Sequence, residues 1–299
     1  MSDNPPQSRG SALFRSARSF LFVPATRPER IVKALASGAD AVIVDLEDAV
    51  APADKNAARL GLAQSWEVLS ARQRERILVR TNAATTTWYQ DDCRLLGNLS
   101  RHGLVGVVLP KAESVADLDA LAHALPAAAL LPLIESAQGL HVIDLLARAP
   151  GVLRLVFGHL DFQADIGMHC GPDESELASV RLAMVLASRR AGLAPPVDGV
   201  TADMEDATRL EADVLRCRRM GFSAKLCIHP RQAPVVNRAF YGTTAERAWA
   251  QRVLQASREQ GAGAFRLDGQ MVDAPVLQLA LSLLQQRDPS MTIAPPAIP

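Results

Sequence analysis

Eight short apolar runs recur along this chain of 299 residues, and stretches of amphipathic helical character separate them. The runs lie at Ser19–Pro24, Ala41–Leu46, Ile77–Arg80, Val105–Leu109, Leu130–Ile134, Arg154–Phe157, Val197–Thr201 and Lys225–Ile228. Their spacing of roughly 25–40 residues is that of a βα unit. Because the runs are apolar throughout rather than at alternate positions, we expect parallel strands buried on both faces. Eight such units predict a closed (β/α)8 TIM barrel, with an open doubly wound sheet as the alternative.

The stretches between the runs favour helices, and those after the last run predict a smaller second part. Candidate barrel helices lie at Pro28–Ser37, Lys55–Ser70, Val115–Ala124, Glu174–Ala191 and Met204–Met220. We place the barrel at residues 18–242 and a C-terminal helical lid extension at 243–287, with helices at Ala245–Gln260 and Ala274–Gln286 joined by a loop. Residues 1–17 and the Pro-rich residues 288–299 are expected to be disordered tails.

Composition narrows the class of protein. The chain is 48% hydrophobic with a formal net charge of zero, so it shows no electrostatic signature of nucleic-acid binding. It has no apolar run long enough to span a membrane, and its first residues lack the apolar core of a secretion signal. Four scattered cysteines, without zinc or CxxC spacing, are typical of a reducing compartment. We therefore expect a cytoplasmic enzyme with no nucleic-acid or membrane partner.

Two carboxylates follow neighbouring candidate strands and indicate a metal site. Glu135 ends the run in LLPLIESAQG, and Asp161 follows the run in RLVFGHLDFQADIG. Residues just beyond the carboxyl ends of barrel strands line the ligand cavity, and two carboxylates with open water positions suit Mg²⁺. The alternative is that Glu135 caps a helix and Asp161 begins a turn.

More charged residues follow the second, third and fourth candidate strands. Asp45, Glu47 and Asp48 lie within one turn, where three carboxylates repel each other unless cations or donors offset them. Arg80 ends the third strand and can bind a carboxylate or an oxyanion through two parallel N–H groups. The alternative is a purely structural Arg80 that neutralises Asp45 or Glu47. Lys111, after the fourth strand, is a further candidate partner of these acids.

Eight ordered motifs resemble the citrate lyase β-subunit branch of the HpcH/HpaI aldolase/citrate lyase family. They are RSFLFVPATRPERIVKAL, VIVDLEDAV, VRTNAATTTWYQDD, LPKAES, PLIESAQG, FGHLDFQADIG, PPVDGV and GFSAKLCIHPRQ. The resemblance runs from about Arg18 to Asp273. His159 departs from the pattern, since relatives commonly carry a smaller residue there, and we expect it to narrow the pocket.

The resemblance implies roles for particular residues. It implies Mg²⁺ bound by Glu135 and Asp161, with Arg80 at the carbonyl oxygen of the product. Glu47 and Asp48 would hold the acid substrate or a water molecule on the metal. The stretch from Thr26 to Lys33 corresponds to a coenzyme A contact, which would use the three cations Arg27, Arg30 and Lys33.

The resemblance also implies an acid that acts on a neighbouring subunit. Asp273 matches the residue that protonates the acyl-CoA enolate in similar lyases, and the alternative is that Asp273 only caps the last helix. A lid shared between subunits requires a homo-oligomer, and the family favours a trimer.

These roles predict a Mg²⁺-dependent carbon–carbon lyase. Its substrate would be a 3-hydroxyacyl-CoA thioester of the citryl-, malyl- or citramalyl-CoA type, and its products a 2-oxo acid and an acyl-CoA. Two alternatives are a metal-dependent aldolase on free 2-oxo acids and a non-catalytic subunit of a citrate lyase complex.

Overall fold

Eight parallel strands close into a barrel, which excludes the open sheet. The computed structural model describes residues 9–261 and 263–285, with side chains from residue 12 onward. The strands pair in chain order, and β8 closes on β1. They are β1 (Ser19–Pro24), β2 (Ala41–Asp45), β3 (Ile77–Arg80), β4 (Gly106–Leu109), β5 (Ala129–Ile134), β6 (Val156–Phe157), β7 (Val197–Asp198) and β8 (Ala224–Cys227). Each overlaps one predicted run, so the (β/α)8 prediction is confirmed.

One helix precedes β1, and the others follow the strands. They are α1 (Arg9–Ser16), α2 (Arg30–Leu35), α3 (Lys55–Val68), α4 (Ala71–Arg74), α5 (Tyr89–Arg101), α6 (Val115–Ala124), α7 (Ala137–His141), α8 (Ile143–Ala147), α9 (His159–Ile166), α10 (Ala178–Arg190), α11 (Ala207–Arg219) and α12 (Gln232–Tyr241). Single 3₁₀ turns at Pro52–Asp54 and Ser175–Leu177 precede α3 and α10. Among the described residues, no helix is both long and apolar enough to cross a membrane.

The barrel interior is apolar and is filled mainly by side chains of the strands. One core cluster contains Phe20, Ile43, Leu78, Val108 and Leu131, all of them fully buried. Layers of such side chains make the barrel a packed core rather than a pore. The charged residues at the carboxyl ends of the strands are therefore held on a rigid support.

The N-terminal segment differs from the prediction. Residues 9–16 form α1, so the prediction of a disordered tail is wrong for this part, while residues 1–8 lie outside the described residues. Phe14 is fully buried in the barrel core, and a Cβ on Gly106 would lie only 2.6 Å from its ring. Arg154 Nη1 donates to the carbonyl oxygens of Phe14 and Ala17 at 3.0 and 2.7 Å, which satisfies the end of α1.

The chain divides into two compact units between Val236 and Asn237, six residues before the predicted boundary. The second unit contains the end of α12, then α13 (Thr244–Gln260), the strands β9 (Phe265–Leu267) and β10 (Gln270–Val272), and α14 (Ala274–Leu284). The predicted loop between the two helices is thus an antiparallel hairpin, and that prediction is wrong. Ala250, Val253, Val272 and Ala280 form the core of this unit. The Pro-rich residues 288–299 lie outside the described residues.

Candidate active site

Arg80 is the centre of an ion-pair cluster at the ends of β2 and β3. Its Nε and Nη2 donate to the two carboxylate oxygens of Asp45, each at 2.7 Å. Its Nη1 lies 2.9 Å from Glu47 Oε2, without the alignment of a hydrogen bond, and 3.3 Å from Asp48 Oδ2. The strand register places Asp45 directly beside Arg80. Burial alone would lower the pKa of Arg80, but these carboxylates raise it above its ordinary value, so the guanidinium stays charged.

Lys111 links the two carboxylates that are nearest to it. Its Nζ donates to Glu47 Oε1 at 3.0 Å, and its backbone N–H donates to Glu135 Oε1 at 2.7 Å. The residue has φ +46°, which is an uncommon backbone conformation for any residue other than glycine. Lys111 is thus a partner of these acids, as one interpretation of the sequence expected. Burial raises the pKa of Glu47, although Arg80 and Lys111 oppose the shift.

Glu135 is the most strongly perturbed carboxylate of the cluster. It directly follows β5 and is only 3% exposed. Burial, together with the charges of Glu47 and Asp161, raises the pKa of Glu135 to about 8. Its side chain lies against Gly158, where an added Cβ would be 2.4 Å from Oε2. A buried carboxylate beside other carboxylates is destabilised until a cation is bound.

Asp161 lies in the first turn of α9, half-buried, and shares a cavity with Glu135. The cavity has a volume of about 350 Å³ at the carboxyl ends of the strands. Its polar lining comes from Asp45, Asp48, Arg80, Glu135, His159 and Asp161. The structure therefore brings together Arg80, Asp48 and both predicted metal ligands around one cavity. Glu47 is not part of the lining, but it contacts Arg80 and Lys111.

The pair formed by Glu135 and Asp161 fits Mg²⁺. Among the described residues, no group of three or more His, Cys, Asp or Glu side chains has the arrangement of a metal cage. Mg²⁺ does not need one, because it usually keeps several waters and binds one or two carboxylates. The absent side chain at Gly158 leaves Glu135 the space to present its carboxylate.

His159 belongs to a network that the sequence did not reveal. It is 3% exposed, lines the cavity, and has Nε2 3.4 Å from Glu174 Oε1. Glu174 Oε2 also accepts hydrogen bonds from Arg181 Nη2 at 2.5 Å and from Arg216 Nη2 at 2.8 Å. Burial acts to raise the pKa of Glu174, but His159 and Arg181 hold it well below its ordinary value. Glu174 has φ +50°, for which the sequence gives no local signal.

The remaining predicted site residues lie elsewhere. Arg27, Arg30 and Lys33 are exposed on and before α2, and Arg27 Nε is 2.7 Å from Glu29 Oε1. They do not line the cavity. Asp273 lies in the second unit and caps α14 by accepting the Val276 N–H at 3.4 Å. The cap is present, and the catalytic role stays a prediction.

A second residue missed from the sequence is Lys55, which begins α3. It is 5% exposed, and its Nζ donates to the carbonyl oxygens of Leu46 and Glu47, both at 2.7 Å. It thus fixes the backbone that carries the acidic turn after β2. A lysine at a helix start gives no sequence signal for this contact.

Comparison with known proteins gives one consistent family. The family model HpcH/HpaI aldolase/citrate lyase matches residues 18–230. A citrate lyase subunit beta-like protein of Mycobacterium tuberculosis is 38% identical over 272 residues, which cover 89% of this chain and 94% of that protein. A (3S)-malyl-CoA thioesterase of Cereibacter sphaeroides is 33% identical over 259 residues, covering 86% and 89%. The crystal structure of CitE from Mycobacterium tuberculosis with magnesium, acetoacetate and coenzyme A is similar, with a TM-score of 0.80, 37% identity and coverage of 91% and 98%.

Proposed function

The chain belongs to the HpcH/HpaI aldolase/citrate lyase family, and we propose that it is a Mg²⁺-dependent carbon–carbon lyase. Its substrate is a 3-hydroxyacyl-CoA thioester, and its products are a 2-oxo acid and an acyl-CoA. One observation carries the proposal: Glu135, Asp161 and Arg80 line the same cavity at the carboxyl ends of the barrel strands. The relative solved with magnesium and coenzyme A supports both ligand classes.

In this proposal Glu135 and Asp161 hold the metal. Mg²⁺ at this position supplies a fixed positive charge for the carboxylate and hydroxyl oxygens of the substrate. Arg80 is fixed by its two hydrogen bonds to Asp45, and its other N–H groups can donate to the oxygen that becomes the carbonyl. Glu47 does not line the cavity, so it acts as a positioning residue through Arg80 and Lys111.

The reaction is a retro-aldol cleavage. The hydroxyl loses its proton, the carbonyl forms, and the carbon–carbon bond breaks so that its electron pair becomes the acyl-CoA enolate. Asp48, which lines the cavity and is partly open to solvent, is the proposed acceptor of the hydroxyl proton. The enolate then takes a proton at carbon, and Asp273 of a neighbouring subunit in a homo-oligomer is the proposed donor. Arg27, Arg30 and Lys33 are the proposed coenzyme A contacts.

The test is a cleavage assay with citryl-, malyl- and citramalyl-CoA, with Mg²⁺ or with EDTA. We expect Mg²⁺-dependent release of a 2-oxo acid together with an intact acyl-CoA. Glu135→Gln should lose at least about 10²-fold in turnover, because it removes a metal ligand and its charge. Glu211→Gln, at an exposed position of α11, is the matched control and should match the wild type.

Other products would identify other functions. Release of free CoA with the carbon skeleton intact would indicate a thioesterase. Cleavage of the free hydroxy acids without CoA would indicate the aldolase alternative. Absence of turnover on every substrate, in a correctly folded protein with Mg²⁺, would favour a non-catalytic subunit.

A further inference from the structure

The cavity lining is divided into a charged part and an apolar part. The charged side chains come from the ends of β2, β3, β5 and β6. The adjacent strands β7, β8 and β1 contribute only apolar side chains to the lining, namely Val200, Leu226, Ile228 and Phe22. Because β7 pairs with β8 and β8 pairs with β1, these four residues come from three adjacent strand ends, and we call them the apolar wall.

Negative charge dominates the rest of the lining. Four carboxylates line the cavity, and the cations among the described lining residues are Arg80 and, when protonated, His159. The guanidinium carbon of Arg80 lies 4.8 Å from the centre of the Phe22 ring, but Arg80 is already in contact with the carboxylates of Asp45, Glu47 and Asp48. In the proposed reaction, the remaining N–H groups of Arg80 donate to the oxygen that becomes the carbonyl. A bound Mg²⁺ would balance the charges of the other two lining carboxylates, Glu135 and Asp161.

Both ring nitrogens of His159 also face other residues of the protein. Its Nε2 faces Glu174, and its Nδ1 faces Gly199, where an added Cβ would lie 2.0 Å away. Lys111 is held on Glu47 and is not part of the lining. Among the described lining residues, therefore, none is a cation free to bind a carboxylate at the apolar wall.

The geometry points to a 2-oxo acid that has one carboxylate and a small apolar substituent, with pyruvate as the simplest example. This inference rests on the proposed function and specifies its substrate class. The substrate would carry a methyl group, rather than a carboxymethyl group, on the carbon that bears the hydroxyl. Its single carboxylate would lie on the metal side of the cavity, and its methyl group would pack on the apolar wall.

The expected preference for a methyl over a carboxymethyl substituent follows from the free-energy cost of burying an unpaired charge. A carboxymethyl group would place a second carboxylate against Val200, Leu226 and Ile228, where the described lining offers no free side-chain cation to replace the water that the carboxylate loses. A methyl group at the same place buries apolar surface and needs no partner. We expect kcat/KM for citramalyl-CoA to exceed that for citryl-CoA by at least about tenfold.

Two measurements on the full-length protein test the inference. The first is kcat/KM for the two thioesters. The second is binding of pyruvate and oxaloacetate in the presence of Mg²⁺, measured by calorimetry, so that a readout other than activity exists. Pyruvate should bind at least about tenfold more tightly than oxaloacetate.

A cation on the apolar wall should change the preference. Ile228 is 37% exposed, so Ile228→Arg can be accommodated and would place a guanidinium beside the substituent. We expect this variant to shift both ratios at least about tenfold toward citryl-CoA and oxaloacetate. Leu186→Arg, at a 45% exposed position of α10 that does not line the cavity, is the matched control and should leave both ratios unchanged.

The outcomes separate the inference from the proposed function. Equal or better use of citryl-CoA and oxaloacetate by the wild type would overturn the inference and leave the lyase intact. Failure of all oxo acids to bind, together with no cleavage of either thioester, would overturn both. An unchanged ratio in a folded Ile228→Arg protein would also contradict the apolar wall as the origin of the preference.

Discussion

Gly158 is the residue whose small size most directly shapes the proposed metal site. A Cβ there would lie 2.4 Å from Glu135 Oε2 and 2.6 Å from Glu135 Cβ, so no other residue fits without moving that carboxylate. The glycine thus belongs to the site although it has no side chain to contribute. It is also the N-cap residue of α9, the helix that carries Asp161 in its first turn.

Gly158→Ala should therefore weaken Mg²⁺ binding more than it weakens the fold. Loss of a residue that orients a metal ligand typically costs about 10–100-fold in affinity, and we expect a loss in that range. Calorimetric titration with Mg²⁺ measures it. Gly97→Ala is the control, because an added Cβ at this helical position meets nothing within 4 Å. Unchanged Mg²⁺ affinity in Gly158→Ala would show that Glu135 is not a ligand.

The substitution Arg80→Lys compares a guanidinium with an ammonium group at the same position. Arg80→Lys keeps the charge but cannot make both hydrogen bonds to Asp45 and still donate into the cavity. We expect turnover to fall by about 10²–10³-fold while the protein stays folded. Arg94→Lys is the control, at an exposed position of α5 that pairs with Asp91. Near-normal turnover in Arg80→Lys would reduce Arg80 to a structural partner of Asp45.

At the scale of residues, the sequence predicts where a site residue lies in the fold better than it predicts which side chains that residue contacts. The strand ends were recognisable from the apolar runs, so Glu135, Asp161 and Arg80 could be assigned to one face. The contact between His159 and Glu174 could not be predicted, because Glu174 precedes a different helix and has a left-handed backbone conformation. Side chains that meet only after the barrel closes leave no pattern in the linear sequence.

At the scale of elements, the hairpin of β9 and β10 has a local signal in the sequence. Asp268 and Gly269 form its turn with φ +49° and +81°, the conformation for which Asp-Gly is favoured in two-residue hairpins. Helix α1 had no comparable signal, since its short polar sequence becomes stable only when Phe14 is buried in the barrel. Tertiary packing, rather than local helix propensity, therefore stabilises this helix.

The Glu174 network holds the start of α9 to α10 and α11, and its contribution should depend on pH. The folded-state pKa of Glu174 is below its ordinary value, so its stabilising effect is present above the unfolded-state pKa and is lost as the pH falls. Glu174→Gln should lower the free energy of unfolding by roughly 1–3 kcal/mol at pH 7, and by less near pH 3.5.

Urea unfolding of wild type and Glu174→Gln at both pH values measures this difference. Glu205→Gln is the control, because Glu205 is 83% exposed and only 3.5 Å from the exposed Arg231. It should change stability by no more than about 0.5 kcal/mol at either pH. A loss in Glu174→Gln that is equally large at pH 3.5 would contradict the assigned pKa direction.

At the scale of the whole molecule, the role proposed for Asp273 is a prediction about the second unit, which contains this residue. Asp273→Asn keeps an oxygen that can cap α14 but cannot give up a proton on demand. We expect unchanged Mg²⁺ binding, an unchanged melting temperature and strongly reduced turnover. Full activity in this variant would make Asp273 a helix cap alone.

Mixed oligomers test whether Asp273 acts on a neighbouring subunit. Asp273→Asn chains combined with Glu135→Ala chains should regain part of the activity, because some sites would pair an intact metal pair with an intact Asp273. Each variant alone is the control. No recovery in verified hybrids would rule out a site shared between subunits.

The most direct test of the account is a crystal structure of the protein grown with Mg²⁺ and pyruvate. We predict one Mg²⁺ with oxygens of Glu135 and Asp161 at about 2.0–2.1 Å and water or pyruvate oxygens in the other positions. Pyruvate should have its methyl group on the apolar wall and its oxo oxygen within hydrogen-bond distance of Arg80. A metal more than about 3 Å from both carboxylates, or bound at another site, would contradict the central claim.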